Sequence, residues 1–175
     1  MGLEGAVRVM GQDTTPILLC DACVMLDYLE FAPRILSLTV KHLTQIYIPD
    51  VVLLELSKYS QSDIESLGIQ IQETPLSYYL LPLLGPLSLQ DRACLMLSQE
   101  MGWTCVTNDQ KLRKACDYEQ VATLGGFGLL ILLVRKKIIT REEGIQIIKA
   151  IGKGNKWISP SLIETVISQL EATKK

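Results

Sequence analysis

The chain carries a single histidine, His42. Chemistry that needs several imidazoles lacks its parts, which excludes multi-histidine zinc centres and most Ser-His-Asp arrangements. An excess of one charge sign is also missing. Lys and Arg number 17 against 19 Asp and Glu, a net charge of −2, so the molecule as a whole is no cationic nucleic-acid binder. Any basic patch has to sit beside local acid. Glycine (12) and proline (7) are ordinary in number for 175 residues, which excludes collagen-like and low-complexity classes. Long apolar spans are absent too. The longest uncharged run, Thr74 to Gln90, is interrupted by Pro75, Pro82 and Pro86 and reads as a buried, proline-broken connection. Residues 1–15 lack the apolar core of a leader and read as a loose tail. Met1-Gly2 opens a myristoylation pattern, but Ala6 stands where Ser or Thr is required. These features point to a soluble, cytoplasmic protein.

The five cysteines (Cys20, Cys23, Cys94, Cys105, Cys116) are odd in number, and each sits in an apolar run, as buried reduced thiols do. Cys20-Asp21-Ala22-Cys23 has the C-x-x-C spacing, yet it straddles a strand end instead of opening a helix after one. No second pair exists to complete a zinc site, so a redox dithiol is the weaker of the two readings.

What is present is a mean hydropathy of +0.25 and 48% apolar residues, enough for one core without disulfides or metal. Short apolar runs alternate with segments of helical period, the pattern of βαβ units and a parallel sheet. Strands are expected at 17–20, 46–48, 69–72, 103–107 and 120–123. Helices are expected from about 22 to 31, at 33–45, 50–59, 88–101 and 108–117, then at 127–137, 140–151 and 159–171. The segment 127–134 is apolar nearly all round, so that helix is either deeply buried or packed against another chain. Three parts follow: a tail at 1–15, a domain at 16–139, and C-terminal helices at 140–175 packed on that domain.

Open parallel sheets bind ligands at the carboxyl ends of their strands, where the strand order reverses. Asp21 follows the first strand and Asp109 the fourth. Glu55 lies just past the second strand, and Asp91 opens the helix before the fourth. Each has an ordinary structural explanation. Asp21 serves as a helix cap, Asp91 completes a capping box with Ser88, Asp109 is a first-turn acid, and Glu55 has Lys58 three residues on. Glu55 is the least comfortable of these, set among Val51 to Leu54 and Leu56. Converging all four is costly, because two carboxylates about 4 Å apart repel by about 4 kcal/mol at an effective dielectric of about 20. A divalent cation offsets that repulsion, and an all-oxygen donor set points to Mg²⁺ or Mn²⁺ over Zn²⁺.

In this order and spacing, Asp21 after its apolar strand, Glu55 in Val51-Val52-Leu53-Leu54-Glu55-Leu56, Asp91 in Leu89-Gln90-Asp91-Arg92-Ala93, and Asp109 in Val106-Thr107-Asn108-Asp109 resemble the PIN-domain nucleases. Gly102 to Ala115 is the closest stretch, and Gln120 to Leu130 resembles the strand and glycine turn that follow it. The resemblance covers about 17–139 and extends to the toxin-like, VapC-type prokaryotic members. It implies a three-layer α/β/α fold with a five-stranded parallel sheet, and a metal-dependent endoribonuclease using Mg²⁺ or Mn²⁺. Asp21, Glu55, Asp91 and Asp109 are then the catalytic and metal-binding residues, Glu55 binding metal or positioning the attacking water.

Two residues after the first Asp the family usually has Ser, Thr or Asn, where this chain has Cys23. A thiol is a poor substitute near a hard cation. Asn108 either contributes its amide to the site or caps the helix after it, the cap being preferred. Lys111, Arg113 and Lys114 beside Asp109, and Arg92 beside Asp91, are candidate RNA contacts, with ordinary solvated charge as the alternative. Lys149, Lys153, Lys156 and the Arg135-Lys136-Lys137 run read as surface charge. The resemblance further implies a homodimer, and an antitoxin protein as partner if the chain is the toxin of a toxin–antitoxin pair. The alternative is a non-catalytic PIN-like scaffold that binds RNA or protein. A phosphoacceptor receiver domain fits poorly, because it needs adjacent acids after the first strand and Asp21 is followed by Ala22.

Overall fold

Leu18, Leu19 and Cys20 have no exposed surface. A strand this continuously apolar belongs at the centre of a parallel sheet, where both faces are covered. In the computed structural model, which describes residues 16–80 and 87–172, they form β1 (Leu18–Cys20). The expectations for the 1–15 tail and for Pro82 and Pro86 lie outside the described residues. After β1 come α1 (Ala22–Phe31), α2 (Pro33–His42), β2 (Ile46–Pro49), a 3-10 helix (Asp50–Leu54), α3 (Gln61–Ser66), β3 (Gln70–Gln72) and α4 (Leu76–Leu80). The chain continues with α5 (Leu89–Met101), β4 (Thr104–Val106), α6 (Gln110–Tyr118), β5 (Thr123–Leu124), α7 (Gly128–Arg135), α8 (Arg141–Gly154) and α9 (Pro160–Ala172).

The sheet is five-stranded and parallel throughout, in the order β3-β2-β1-β4-β5, with Leu18 opposite both Ile46 and Thr104. The chain builds outward from β1 to β3, then crosses back to β4. The order therefore reverses between β1 and β4. Helix α5 packs across β1, β2 and β4 with α6 beside it, while α1, α2, α7, α8 and α9 pack together. The result is the expected three-layer α/β/α arrangement.

Local chemistry sets the element boundaries. Asp21, Ser88, Asp109 and Thr140 each accept a backbone N–H of the first turn of the following helix, which satisfies donors that the helix itself leaves open. Gly102 ends α5 at φ 66°, a left-handed conformation that glycine adopts without cost. Helix α7 is buried along most of its length, with Leu129, Leu130 and Leu133 fully hidden, so the chain itself covers this apolar segment. Ile148 and Ile151 of α8 and Val166 and Leu170 of α9 join the same core cluster.

Two local expectations need correction. The segment expected as a helix at 50–59 is instead a short 3-10 helix. Asp50 Oδ1 accepts both Val51 N (2.8 Å) and Thr74 N (3.0 Å), so this residue ties the turn to the far side of β3 and does not start an α-helix. The 74–90 connection is not buried as a whole, because Leu76, Tyr79 and Leu80 on α4 are exposed.

The shared core predicts that Leu170→Ala destabilises the whole molecule by about 2–5 kcal/mol. Urea unfolding followed by circular dichroism and by tryptophan emission should give coincident single transitions. Two separated transitions would show that the C-terminal helices fold apart from the sheet.

Candidate active site at the sheet reversal

At the reversal between β1 and β4, Asp21 closes one strand and Thr107-Asn108-Asp109 closes the other. The two ends are joined by the bond from Asp21 N to Val106 O (3.1 Å). Asp21 is 5% exposed. Three donors meet its carboxylate: Val24 N at 3.0 Å, the Thr107 hydroxyl, and the Cys23 thiol, whose Sγ lies 3.0 Å from both oxygens. These bonds favour the ionised form. Burial acts more strongly the other way, and with the negative charge of Asp91 it leaves the Asp21 carboxyl above the usual carboxylate range.

Asp91 occupies the third position of α5 in a closed capping box: Asp91 N donates to Ser88 Oγ (3.0 Å) and Ser88 N to Asp91 Oδ2 (3.1 Å). Glu55 ends the 3-10 helix on its exposed side and makes no ion pair with Lys58 among the described residues. Partial burial of its carboxyl, followed by the charges of Asp91 and Asp21, raises its pKa. Asp21, Glu55 and Asp91 therefore lie within one another's field. Asp109 is linked by hydrogen bonds. It caps α6 through Leu112 N (2.8 Å), while its own N–H donates to Thr107 Oγ1 (3.0 Å), whose hydroxyl donates to Asp21.

The capping explanations thus hold for Asp21, Asp91 and Asp109, and they do not use up the carboxylates. Oδ1 of Asp91 and Oδ2 of Asp109 accept no hydrogen bond among the described residues. A donor set made only of carboxylate oxygens suits a hard divalent ion. Among the described residues no three Asp, Glu, Cys or His side chains stand close enough to hold a metal together. Mg²⁺ keeps several of its waters and is commonly bound through one or two carboxylates. Asp21 and its neighbours fit an ion held in that way.

Several other candidates move. Asn108 does not cap α6, since Asp109 does; its Oδ1 accepts Gly126 N (2.8 Å), and its side chain lies near Asp27. Arg92 is 8% exposed, so the residue beside Asp91 faces inward and does not offer a guanidinium to a passing RNA backbone. Lys111 and Lys114 are exposed, and Arg113 is half-buried beside Gly125. Because Asp109 already occupies the first turn of α6, that helix start is a weaker phosphate site than its basic composition suggests. The thiol at Cys23 does what a hydroxyl would do, donating to Asp21. Burial and that charge push its pKa up, as they do that of Cys20, which works against a reactive thiolate at either position.

Two residues of the site were not singled out from sequence. Thr107 had a signal, as the first position of the Thr-x-Asp run. Asp27 is an acid in an apolar helix face, 7% exposed, and accepts Asn155 Nδ2 (2.7 Å) from the end of α8.

A family model described as a PIN domain (DUF3368) matches residues 17–172. Among solved structures, a PilT N-terminus domain protein from the hyperthermophilic archaeon Sulfolobus solfataricus P2 is similar at 10% identity and a TM-score of 0.49, covering 65% of this chain and 89% of that one. No curated protein matches the chain significantly.

Raised carboxyl groups at Asp21, Asp27 and Glu55 carry a pH signature. Between the unfolded value near 3.8 and the higher native value of an aspartate, the folded state binds more protons, so stability falls as pH rises. With chelator present, the melting temperature should climb as pH drops through the native Asp21 titration toward the unfolded value near 3.8. Asp21→Asn should flatten that slope. A wild-type melting temperature that falls over the same interval would contradict the crowding of these acids.

Proposed function

The chain belongs to the PIN-domain family, and from that premise we propose that it is a divalent-metal-dependent endoribonuclease, hydrolysing RNA phosphodiester bonds with Mg²⁺ or Mn²⁺. The observation that carries the reading is a carboxylate, Asp21, buried at the reversal of a parallel sheet, with Asp91 and Glu55 in its field. Burying a charge is unfavourable unless something opposite in sign joins it.

Asp21, Asp91 and Asp109 are the groups available to the ion, one or two of them directly and the rest through its retained waters, Asp91 and Asp109 offering the oxygens their caps leave open. A bound ion supplies charge relief on the phosphate and a lowered pKa for water. Thr107 and Cys23 fix the orientation of Asp21. Glu55, less acidic than an ordinary glutamate, is the residue suited to take a proton from the attacking water or to help hold the ion. Lys111, Arg113 and Lys114 along α6 neutralise backbone charge beside Asp109, so affinity falls with salt. The toxin role, a homodimer and an antitoxin partner come from the family resemblance. Exposed Leu76, Tyr79 and Leu80 on α4 support a partner chain as apolar surface.

A second reading, a non-catalytic scaffold, is favoured by the lack of a close three-ligand cluster among the described residues. Metal and RNA assays separate the two. Mn²⁺ should raise the melting temperature of the wild type, and labelled single-stranded RNA should be cut. Asp21→Asn or Asp109→Asn should lower the rate on the order of 10³-fold, the equivalent of about 4 kcal/mol, with the circular dichroism spectrum unchanged. Full activity in Asp21→Asn would overturn the assignment. An absence of both Mn²⁺ stabilisation and cleavage in the wild type would leave the scaffold.

A further inference from the structure

Trp157 is 96% exposed. An indole is a large apolar surface that folded chains normally bury, and it stays in water at a cost unless something covers it in use. The loop that carries it is firmly held. Trp157 N donates to Asn155 Oδ1 (2.9 Å), Ile158 N to Asn155 O (3.2 Å), and Asn155 N to Ile151 O (2.8 Å). Just before it, Gly154 sits against the Phe31 ring, where any Cβ would collide.

The same asparagine ties the loop to the acidic site. Asn155 Nδ2 donates to Asp27 Oδ1 (2.7 Å), and Asp27 lies near the side chain of Asn108, the neighbour of Asp109. Asp27 is six residues along α1 from Asp21, a rise of about 9 Å. Lys156 adjoins Trp157 in sequence and Lys153 precedes it on the last turn of α8, both exposed, with Lys149 one helical turn before Lys153. The sequence treated these lysines as ordinary surface charge, but their placement beside an anchored aromatic gives them a second use.

We propose that Trp157 is a stacking platform for an unpaired base of single-stranded RNA, with Lys153 and Lys156 holding the adjoining phosphates, so that the strand is led toward the Asp21 site. The proposal rests on reading that site as one that receives RNA. Stacking on an aromatic tolerates any base, because every base has a π-face, whereas a duplex keeps its bases out of reach. The Asn155–Asp27 bond fixes the loop that carries the platform to α1, the helix that Asp21 caps.

The test is binding of a short single-stranded oligoadenylate to the full chain in chelator, where no metal-dependent cleavage intervenes, against a blunt RNA duplex. Trp103, the other tryptophan, is buried and stacked on Tyr47 at 4.4 Å, so quenching of indole emission by the oligonucleotide reports on Trp157. Trp157→Ala should raise the Kd for the single strand roughly 5- to 100-fold, from about 1–3 kcal/mol per stacked base at 1.4 kcal/mol per tenfold. Trp157→Phe should restore most of the affinity, and duplex binding should not change. Lys153→Gln should reduce the salt slope by about 0.7. Trp157-dependent binding in a protein that cuts no RNA with any divalent ion would keep this proposal and remove the nuclease reading. Cleavage and binding untouched by Trp157→Ala would do the reverse. A Trp157→Ala variant that loses a dimer in sedimentation while keeping its RNA affinity overturns the proposal in favour of a protein interface, and so does an equal loss for duplex and single strand.

Discussion

A carboxylate with almost no access to water lies at the exit of β1, and much of the surrounding structure answers to it. Burying Asp21 removes its hydration, so the fold supplies donors from three directions: the first turn of α1, the thiol two residues on, and a hydroxyl from the end of β4. Each requirement constrains something else. Val24 N fixes where α1 begins. Thr107 has to present its hydroxyl toward β1, which aligns the end of β4 and brings the N–H of Asp109 onto the same oxygen. Even so, the three bonds do not fully offset burial and the charge of Asp91, since the Asp21 carboxyl stays raised. A site left in electrostatic debt is common where a cation or substrate completes it.

The capping role and the proposed chemical role of these acids are physically compatible. A helix cap uses one oxygen and restrains the side-chain rotamer through a short-range bond to the first turn. The second oxygen is thereby aimed, at no further entropic cost, along the outer side of the helix start. Asp91 and Asp109 are both in this condition. Helix starts at the carboxyl edge of a parallel sheet therefore hold their acids more restrained than long flexible side chains on loops would be.

The parts legible in the sequence were those whose signal is local. Leu18-Leu19-Cys20 and Thr104-Cys105-Val106 announce buried parallel strands because nothing charged interrupts them, and the acids past their ends follow from chain order alone. The capping box of Ser88 and Asp91 was readable by its spacing. What was hidden depended on contacts distant along the chain. Asp50 gave up its expected helix because its oxygen reaches Thr74 N, 24 residues away. The Asp27–Asn155 bond spans 128 residues, so neither residue advertised the other. Arg92 was misjudged for a geometric reason: one residue beyond the capping-box acid is a turn of about 100° around the helix, enough to swing the side chain from the crevice into the interior.

Charge placement closes the account of how an overall acidic chain can face a polyanion. Asp21 is buried and Asp91 and Asp109 are engaged in caps, whereas Lys111, Lys114, Lys153 and Lys156 lie in solvent. At physiological ionic strength screening acts over about 8 Å, so a phosphate approaching the rim meets the nearest lysine before it senses the net charge of the molecule. Asn155, just before Lys156 and Trp157, is bonded to Asp27 of α1, the helix that Asp21 caps, so the exposed indole and the buried carboxylate belong to elements joined through α1.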